Sequence, residues 1–210
     1  SLHNAERSFS YWRGQSAARQ LAQAAGALQA AMLGADLVYF SGISLAILDA
    51  QGRKTLLDAA QTARKNGKTI AFDSNLRPHL WASNEEMKTN IMQAAAVSDI
   101  ILPSYDDEAK YFCDTDIAAT ANRYLDAGAK TVIVKNGAGA VYTVHDGTVE
   151  EIATPPVMQI VDTTSAGDSF NAGFFASFDR PQTMRDRGLA ASRVAAQVIG
   201  RKGALVPLKL

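Results

Sequence analysis

The stretch best equipped for chemistry is Val161-Asp162-Thr163-Thr164-Ser165-Ala166-Gly167-Asp168-Ser169-Phe170-Asn171-Ala172-Gly173-Phe174. Small residues at 165–167 leave backbone N–H groups uncovered where a helix is expected to begin, and partial positive charge gathers at such a start. An anion can sit there. Asp168 falls in the same first turn, where a carboxylate can take a proton from a hydroxyl while the neighbouring amides hold the charge of a group in transfer. A plain capped helix with an acidic first turn has the same local composition, so the reading depends on the surrounding sequence.

Those surroundings alternate. Ser16 is placed to cap an Ala-rich helix over 17–33, and Gly34 ends it. An apolar run over 36–41 reads as a buried parallel strand, with Gly42 allowing the turn that follows. A helix over 45–66 is expected to stop at Asn66-Gly67. Next come a strand over 68–73, a helix over 84–97, a strand over 99–102, short helices over 106–112 and 116–127, and a β-branched strand over 130–135. About four alternations of this kind predict an α/β fold, a mostly parallel sheet with helices on both faces. After Lys135 the pattern changes: Gly137 and Gly139 punctuate a turn into 140–145, and Asp146-Gly147 predicts a hairpin into 148–153, a short antiparallel edge. Helices over 166–178 and 183–199 close the chain. No repeat or Pro/Ser-rich linker divides it, so residues 1–210 read as one domain.

The Val134-Lys135-Asn136-Gly137-Ala138-Gly139-Ala140 turn ends a strand where a phosphate or base could approach the backbone. It is not a dinucleotide fingerprint, because a hairpin follows instead of a helix and no third glycine stands at the right spacing. Cys113 reads as a half-buried small hydrophobe, and His3 and His145 have no partners at metal-ligand spacing. Neither a Walker loop, a protein-kinase signature set, a zinc site nor a hydrolase triad is readable.

The string Asp162-Thr163-Thr164-Ser165-Ala166-Gly167-Asp168, followed by Ser169-Phe170-Asn171-Ala172-Gly173, closely resembles the carboxyl-terminal signature of the ribokinase-like (PfkB) family of sugar kinases. The resemblance implies a three-layer ribokinase-like fold and ATP-dependent phosphoryl transfer with Mg2+. It makes Asp168 the catalytic base and the amides of Ala166, Gly167 and Asp168 an anion hole. Many members have glycine where this chain has Ser165.

Tyr11-Trp12-Arg13, Tyr39-Phe40-Ser41-Gly42-Ile43-Ser44 and Asp73-Ser74-Asn75-Leu76-Arg77-Pro78-His79-Leu80-Trp81 resemble the subgroup acting on 2-keto-3-deoxygluconate, phosphorylated at its 6-position. By that resemblance Tyr11 and Arg13 contact the sugar acid, and Arg77 lies near both sugar and phosphates. The chemistry agrees, since arginine's planar fork grips a carboxylate that neutral sugars lack. Taken singly, the arginines also fit an ordinary surface and Tyr11 and Trp12 ordinary packing. On the ATP side the resemblance implies Asn75, Arg77, Lys135, Gly137, Gly139, Ser165, Ala166, Gly167 and Ser192. Glu108, in Ser104-Tyr105-Asp106-Asp107-Glu108, occupies the family's Asn-x-x-Glu element with Tyr105 in place of Asn, which implies magnesium held indirectly through water. Acidic residues opening a helix also follow from its dipole. A neutral-sugar kinase of the fructokinase or ribokinase type is the alternative, and a nucleotide-binding fragment without turnover is another.

Composition excludes other classes. With 21 Lys+Arg against 21 Asp+Glu and no basic stripe, a nucleic-acid partner is not expected. Hydrophobic content of 47% with 20% charged residues is that of a soluble globular protein, and no apolar run reaches membrane-spanning length. One cysteine and no recognisable leader predict a cytoplasmic setting. The opening Ser1-Leu2-His3 and the family match predict that a first third, bearing the initial strands and a sugar-side lid, is missing. Slow or no turnover is expected of such a chain, with association into a homo-oligomer as one way to cover its edges.

Overall fold

The computed structural model describes residues 2–3, 6–7, 15–176 and 178–208. Tyr11 and Arg13, expected at the sugar, lie outside them. Two short strands, β1 (Leu2–His3) and β2 (Glu6–Arg7), pair antiparallel. Beyond these the chain divides into two compact units, residues 15–134 with 144–148, and residues 135–143 with 149–208.

In the first unit β3 (Leu37–Ser41), β4 (Thr69–Asp73), β5 (Ile100–Ile101) and β6 (Thr131–Val134) pair parallel in that order. All four residues of β6 are buried, as are Ile70 to Asp73 of β4, and successive strand residues point to opposite faces. Both faces are therefore covered, as a parallel sheet requires. Phe40 and Phe72 stand in register and their rings meet at 5.0 Å. The strands enter from helices α1 (Ala25–Leu33), α3 (Ala50–Lys65), α4 (Asn84–Ala96) and α6 (Ile117–Asp126). The loops beyond their carboxyl ends carry α2 (Gly42–Ala46) and α5 (Tyr105–Phe112).

Asp99 ties the entry side together. Its carboxylate accepts from Ile70 N at 3.0 Å and Arg64 Nε at 3.0 Å, and Lys130 Nζ stands at 3.2 Å. Burial opposes its ionisation, but the Ile70 N–H, Lys130 and Arg64 together hold the carboxyl below the usual range.

The sheet's strands follow chain order through β7 (Val141–His145) and β8 (Thr148–Ile152). Asp146 and Gly147 both have positive φ, 47° and 74°, the geometry of a type I′ turn, so the expected antiparallel hairpin is present. The predicted stop of α3 is also present: Gly67 has φ 79°, and Lys68 N and Gly67 N bond to Ala63 O and Arg64 O at 3.1 and 3.0 Å.

Three expectations are corrected. The helix over 17–33 is a 3-10 turn over Ala17–Gln20, then irregular residues, then α1. Ser16 caps the first piece as expected, but nothing in 17–20 is buried, and a helix without a buried face is marginal whatever its propensity. The helix over 45–66 is split into α2 and α3, because Asp49 takes the N-cap position and its Oδ1 accepts from Gly52 N at 2.7 Å. Cys113 is exposed rather than half-buried: it lies at the C-cap of α5 in the left-handed conformation, φ 62°, where the helix and its packed face have ended.

In the second unit α7 (Ala166–Phe175) lies against α8 (Met184–Ile199). A Cβ on Gly173 would stand 2.8 Å from Ala191 Cα, so the helices approach backbone to backbone only because that residue is glycine. Thr183 and Asp186 form a capping box at the start of α8.

Candidate active site

In the second unit the signature turn opens α7. Ser165 is its N-cap, with φ 58° and ψ 22°, and its side chain makes no capping bond. This is the left-handed region, which accounts physically for glycine being the more comfortable residue there. Ala166 N donates to Thr163 O at 3.2 Å, so the amides of the first turn not engaged with the turn itself are those of Gly167 and Asp168. Of the three amides expected to form an anion hole, one is thus already used. Asp168 is exposed on this first turn.

Lys135, immediately after β6, is the residue that gives the turn its character. It is buried, and its Nζ contacts Asn171 Oδ1 at 3.4 Å, one turn into α7. The same Nζ lies 3.6 Å from where a Gly167 Cβ would be. An ammonium and a helix amino end therefore converge on one spot, an arrangement that favours an anion. Asn171, itself buried, carried no sequence signal beyond membership of the motif, and its partner lies 36 residues away.

Two further features fix this turn. Asp162 is buried, and its Oδ1 accepts from both the N–H and the hydroxyl of Thr164 while Oδ2 accepts from Gly203 N at 3.0 Å. Val161 N and Asp162 N both donate to Ile199 O, so residues 161–164 are tied to the end of α8. The Lys135–Ala140 turn is closed by Gly139 N on Asn136 O at 2.7 Å, with Gly137 at φ 52°, and Thr154 Oγ1 donates to Ala138 O at 3.0 Å. Ser192, on α8, is buried and its Oγ has no hydrogen-bond partner among the described residues.

In the first unit the segment after β4 adopts an unusual path. Asn75 and Arg77 have positive φ, 29° and 45°. Such conformations cost of order 1–3 kcal/mol each and persist only where the surroundings impose them. The surroundings are visible: Trp81 Nε1 donates to Leu76 O at 2.7 Å, Leu76 is wholly buried, and Arg53 stacks over the Trp81 ring at 4.8 Å. Arg77 itself is exposed. On the other side Ser74 O lies 2.0 Å from where a Gly42 Cβ would be, so the Ser41-Gly42 turn admits the segment only as glycine.

Glu108, on α5, is completely buried. Its oxygens accept from Tyr124 OH at 2.9 Å and Arg123 Nη2 at 2.7 Å. Arg123 further pairs with Asp114 at 2.6 Å and lies 3.8 Å over the Phe112 ring. Burial pushes the Glu108 carboxyl up against the pull of Arg123, and burial followed by the neighbouring Glu108 charge pushes Tyr124 up as well. Among the described residues no group of three or more His, Cys, Asp or Glu forms a metal cage, and no helix is long and apolar enough to cross a membrane.

The model of the pfkB family of carbohydrate kinases matches residues 2–209. The chain is 38% identical over 205 residues to a 2-dehydro-3-deoxygluconokinase of Haemophilus influenzae, covering 96% of this chain and 65% of that protein. Among solved structures, the aminoimidazole riboside kinase of Salmonella enterica with aminoimidazole riboside and an ATP analogue is 27% identical. It has a TM-score of 0.71 and covers 80% of this chain and 57% of that one. A fructokinase of Xylella fastidiosa with bound ATP shares the fold, with a TM-score of 0.79 at 23% identity over 96% of this chain and 66% of that one. The chain belongs to the pfkB family of carbohydrate kinases, and its sheet is the mixed, mostly parallel sheet of the ribokinase-like fold.

Proposed function

We propose, with membership of that family as the premise, that this protein transfers the γ-phosphoryl group of ATP to the terminal hydroxyl of 2-keto-3-deoxygluconate. The observation that carries the reading is the meeting of the Lys135 ammonium with the amino end of α7 beside Gly167, a place made for phosphate charge. The name of the Haemophilus influenzae relative supports the sugar acid.

In this reading Asp168, exposed on the same turn, takes the proton of the attacking hydroxyl. The Gly167 and Asp168 amides and Lys135 stabilise the phosphoryl oxygens as charge develops on them. Lys135–Gly139 and Ser192 flank the nucleotide. Arg77, held outward by a strained loop, takes the sugar acid together with Tyr11 and Arg13. The chemistry of the donor set fits magnesium as a companion of the nucleotide: with no carboxylate cage among the described residues, the ion would keep water and phosphate oxygens as ligands and supply charge neutralisation there. Both compact units then act as one kinase domain.

The discriminating experiment compares Arg77→Ala with the parent in calorimetric titrations of 2-keto-3-deoxygluconate and of a neutral analogue lacking the carboxylate. Loss of a charge-assisted pair, about 1.5–3 kcal/mol, should weaken the acid roughly 10–150-fold and leave the neutral analogue nearly unchanged. Equal losses for both would instead favour a neutral-sugar kinase.

A further inference from the structure

Gly167 and Asn171 stand one turn apart on α7 and so share one face of it. Side chains on a helix lean toward its amino end, which brings the Asn171 amide over the turn that Gly167 occupies. Gly167 contributes no side chain there, and the Lys135 ammonium comes into the space. Its Nζ lies 3.4 Å from Asn171 Oδ1 and 3.6 Å from the place of a Gly167 Cβ. The lysine arrives from the residue after β6, and both residues are buried, Asn171 to 2% exposure.

A lysine head is a compact charge on a flexible four-carbon stem, so it meets a ligand at a set place only if something holds it. At 3.4 Å the bond to Asn171 is long and weak by itself. What distinguishes it is the kind of acceptor. An amide oxygen draws the ammonium in and leaves its charge intact, whereas a carboxylate of the same shape would bring a negative charge to the spot read as a phosphate site. Local structure does not call for the residue either, because asparagine is disfavoured in a helix interior relative to alanine or leucine.

We propose that Asn171 is a positioning residue: its amide oxygen holds the Lys135 ammonium beside Gly167 without neutralising it, which keeps the lysine's charge for the phosphates of the nucleotide. This rests on the reading of that spot as a phosphate site.

Two variants separate position from charge: Asn171→Asp keeps the shape and adds a negative charge, and Asn171→Ala removes the acceptor. Each is titrated calorimetrically with ADP and with adenosine, which has no phosphate, on samples whose cooperative urea unfolding shows them folded. ADP affinity should fall about 10–150-fold in Asn171→Asp, the range of one charge-assisted contact. In Asn171→Ala it should fall about 3–10-fold, the cost of ordering one flexible side chain on binding, while adenosine affinity stays within about 2-fold in both. In a Lys135→Ala background Asn171→Ala should cost less than about 2-fold more. An Asn171→Asp variant that binds ADP as well as the parent overturns the proposal, and this arm decides alone if Asn171→Ala does not fold. An Asn171→Ala loss that persists undiminished without Lys135, or that is equal for adenosine, also overturns it and leaves the phosphate reading standing. If Lys135→Ala itself changes ADP affinity less than about 3-fold, the phosphate reading falls and the proposal falls with it.

Discussion

Lys135 Nζ reaches Asn171 Oδ1 at 3.4 Å, and that contact delivers a buried ammonium from the end of a strand to the first turn of α7. Helix amino ends attract anions weakly by themselves, with effects typically of 0.3–1 kcal/mol where exposed. A lysine set beside the amides adds a full positive charge to that tendency.

Lys135→Ala should therefore weaken ADP binding about 10–150-fold, the range of one charge-assisted contact of about 1.5–3 kcal/mol. Isothermal titration of the 210-residue chain with ADP measures it. A change of less than about 3-fold would mean that the ammonium serves Asn171 and the fold instead of the nucleotide.

Ser165→Gly should stabilise the protein. The left-handed conformation costs a non-glycine residue about 1–2 kcal/mol, partly offset by the extra freedom glycine has when unfolded, which leaves a gain of about 0.5–1 kcal/mol. No capping bond is lost, since the Ser165 side chain makes none. Urea unfolding would show a higher midpoint at unchanged slope, and a lower midpoint would refute the strain argument.

These two cases show what could be read from the sequence. Local chemistry was legible: Asp146-Gly147 announced the hairpin, Asn66-Gly67 the end of α3, and the small residues before Asp168 the start of α7. Partners distant along the chain were not. Asn171 lies 36 residues from Lys135 and Gly203 lies 41 from Asp162, and no periodicity reports such pairings. The Ala-rich 17–33 run failed for a related reason: propensity favoured a helix, but the burial that sustains one is a tertiary property. The split at Asp49, whose Oδ1 accepts from Gly52 N, falls inside a run that the sequence reads as one helix.

Asp99→Asn should lower stability by about 1–2 kcal/mol at neutral pH, through loss of charge-assisted bonds that are partly screened by solvent. Its folded-state pKa lies below the unfolded value of 3.8, so the parent holds this stabilisation above that value and loses it as pH falls through the folded pKa. The gap between variant and parent should accordingly narrow in unfolding curves taken below about pH 4. A gap that widens on acidification would contradict the sign.

The most direct test of the phosphoryl-transfer account is a product assay. The protein is incubated with Mg-ATP and equal amounts of 2-keto-3-deoxygluconate and fructose, and the phosphorylated products are identified by mass spectrometry for the parent and for Asp168→Asn. The account predicts the sugar-acid 6-phosphate as the dominant product, its formation about 10²–10⁴-fold slower in Asp168→Asn, and ADP affinity retained within a few-fold. Dominant fructose phosphate, or an Asp168→Asn variant keeping more than roughly a tenth of the parent rate, would contradict it.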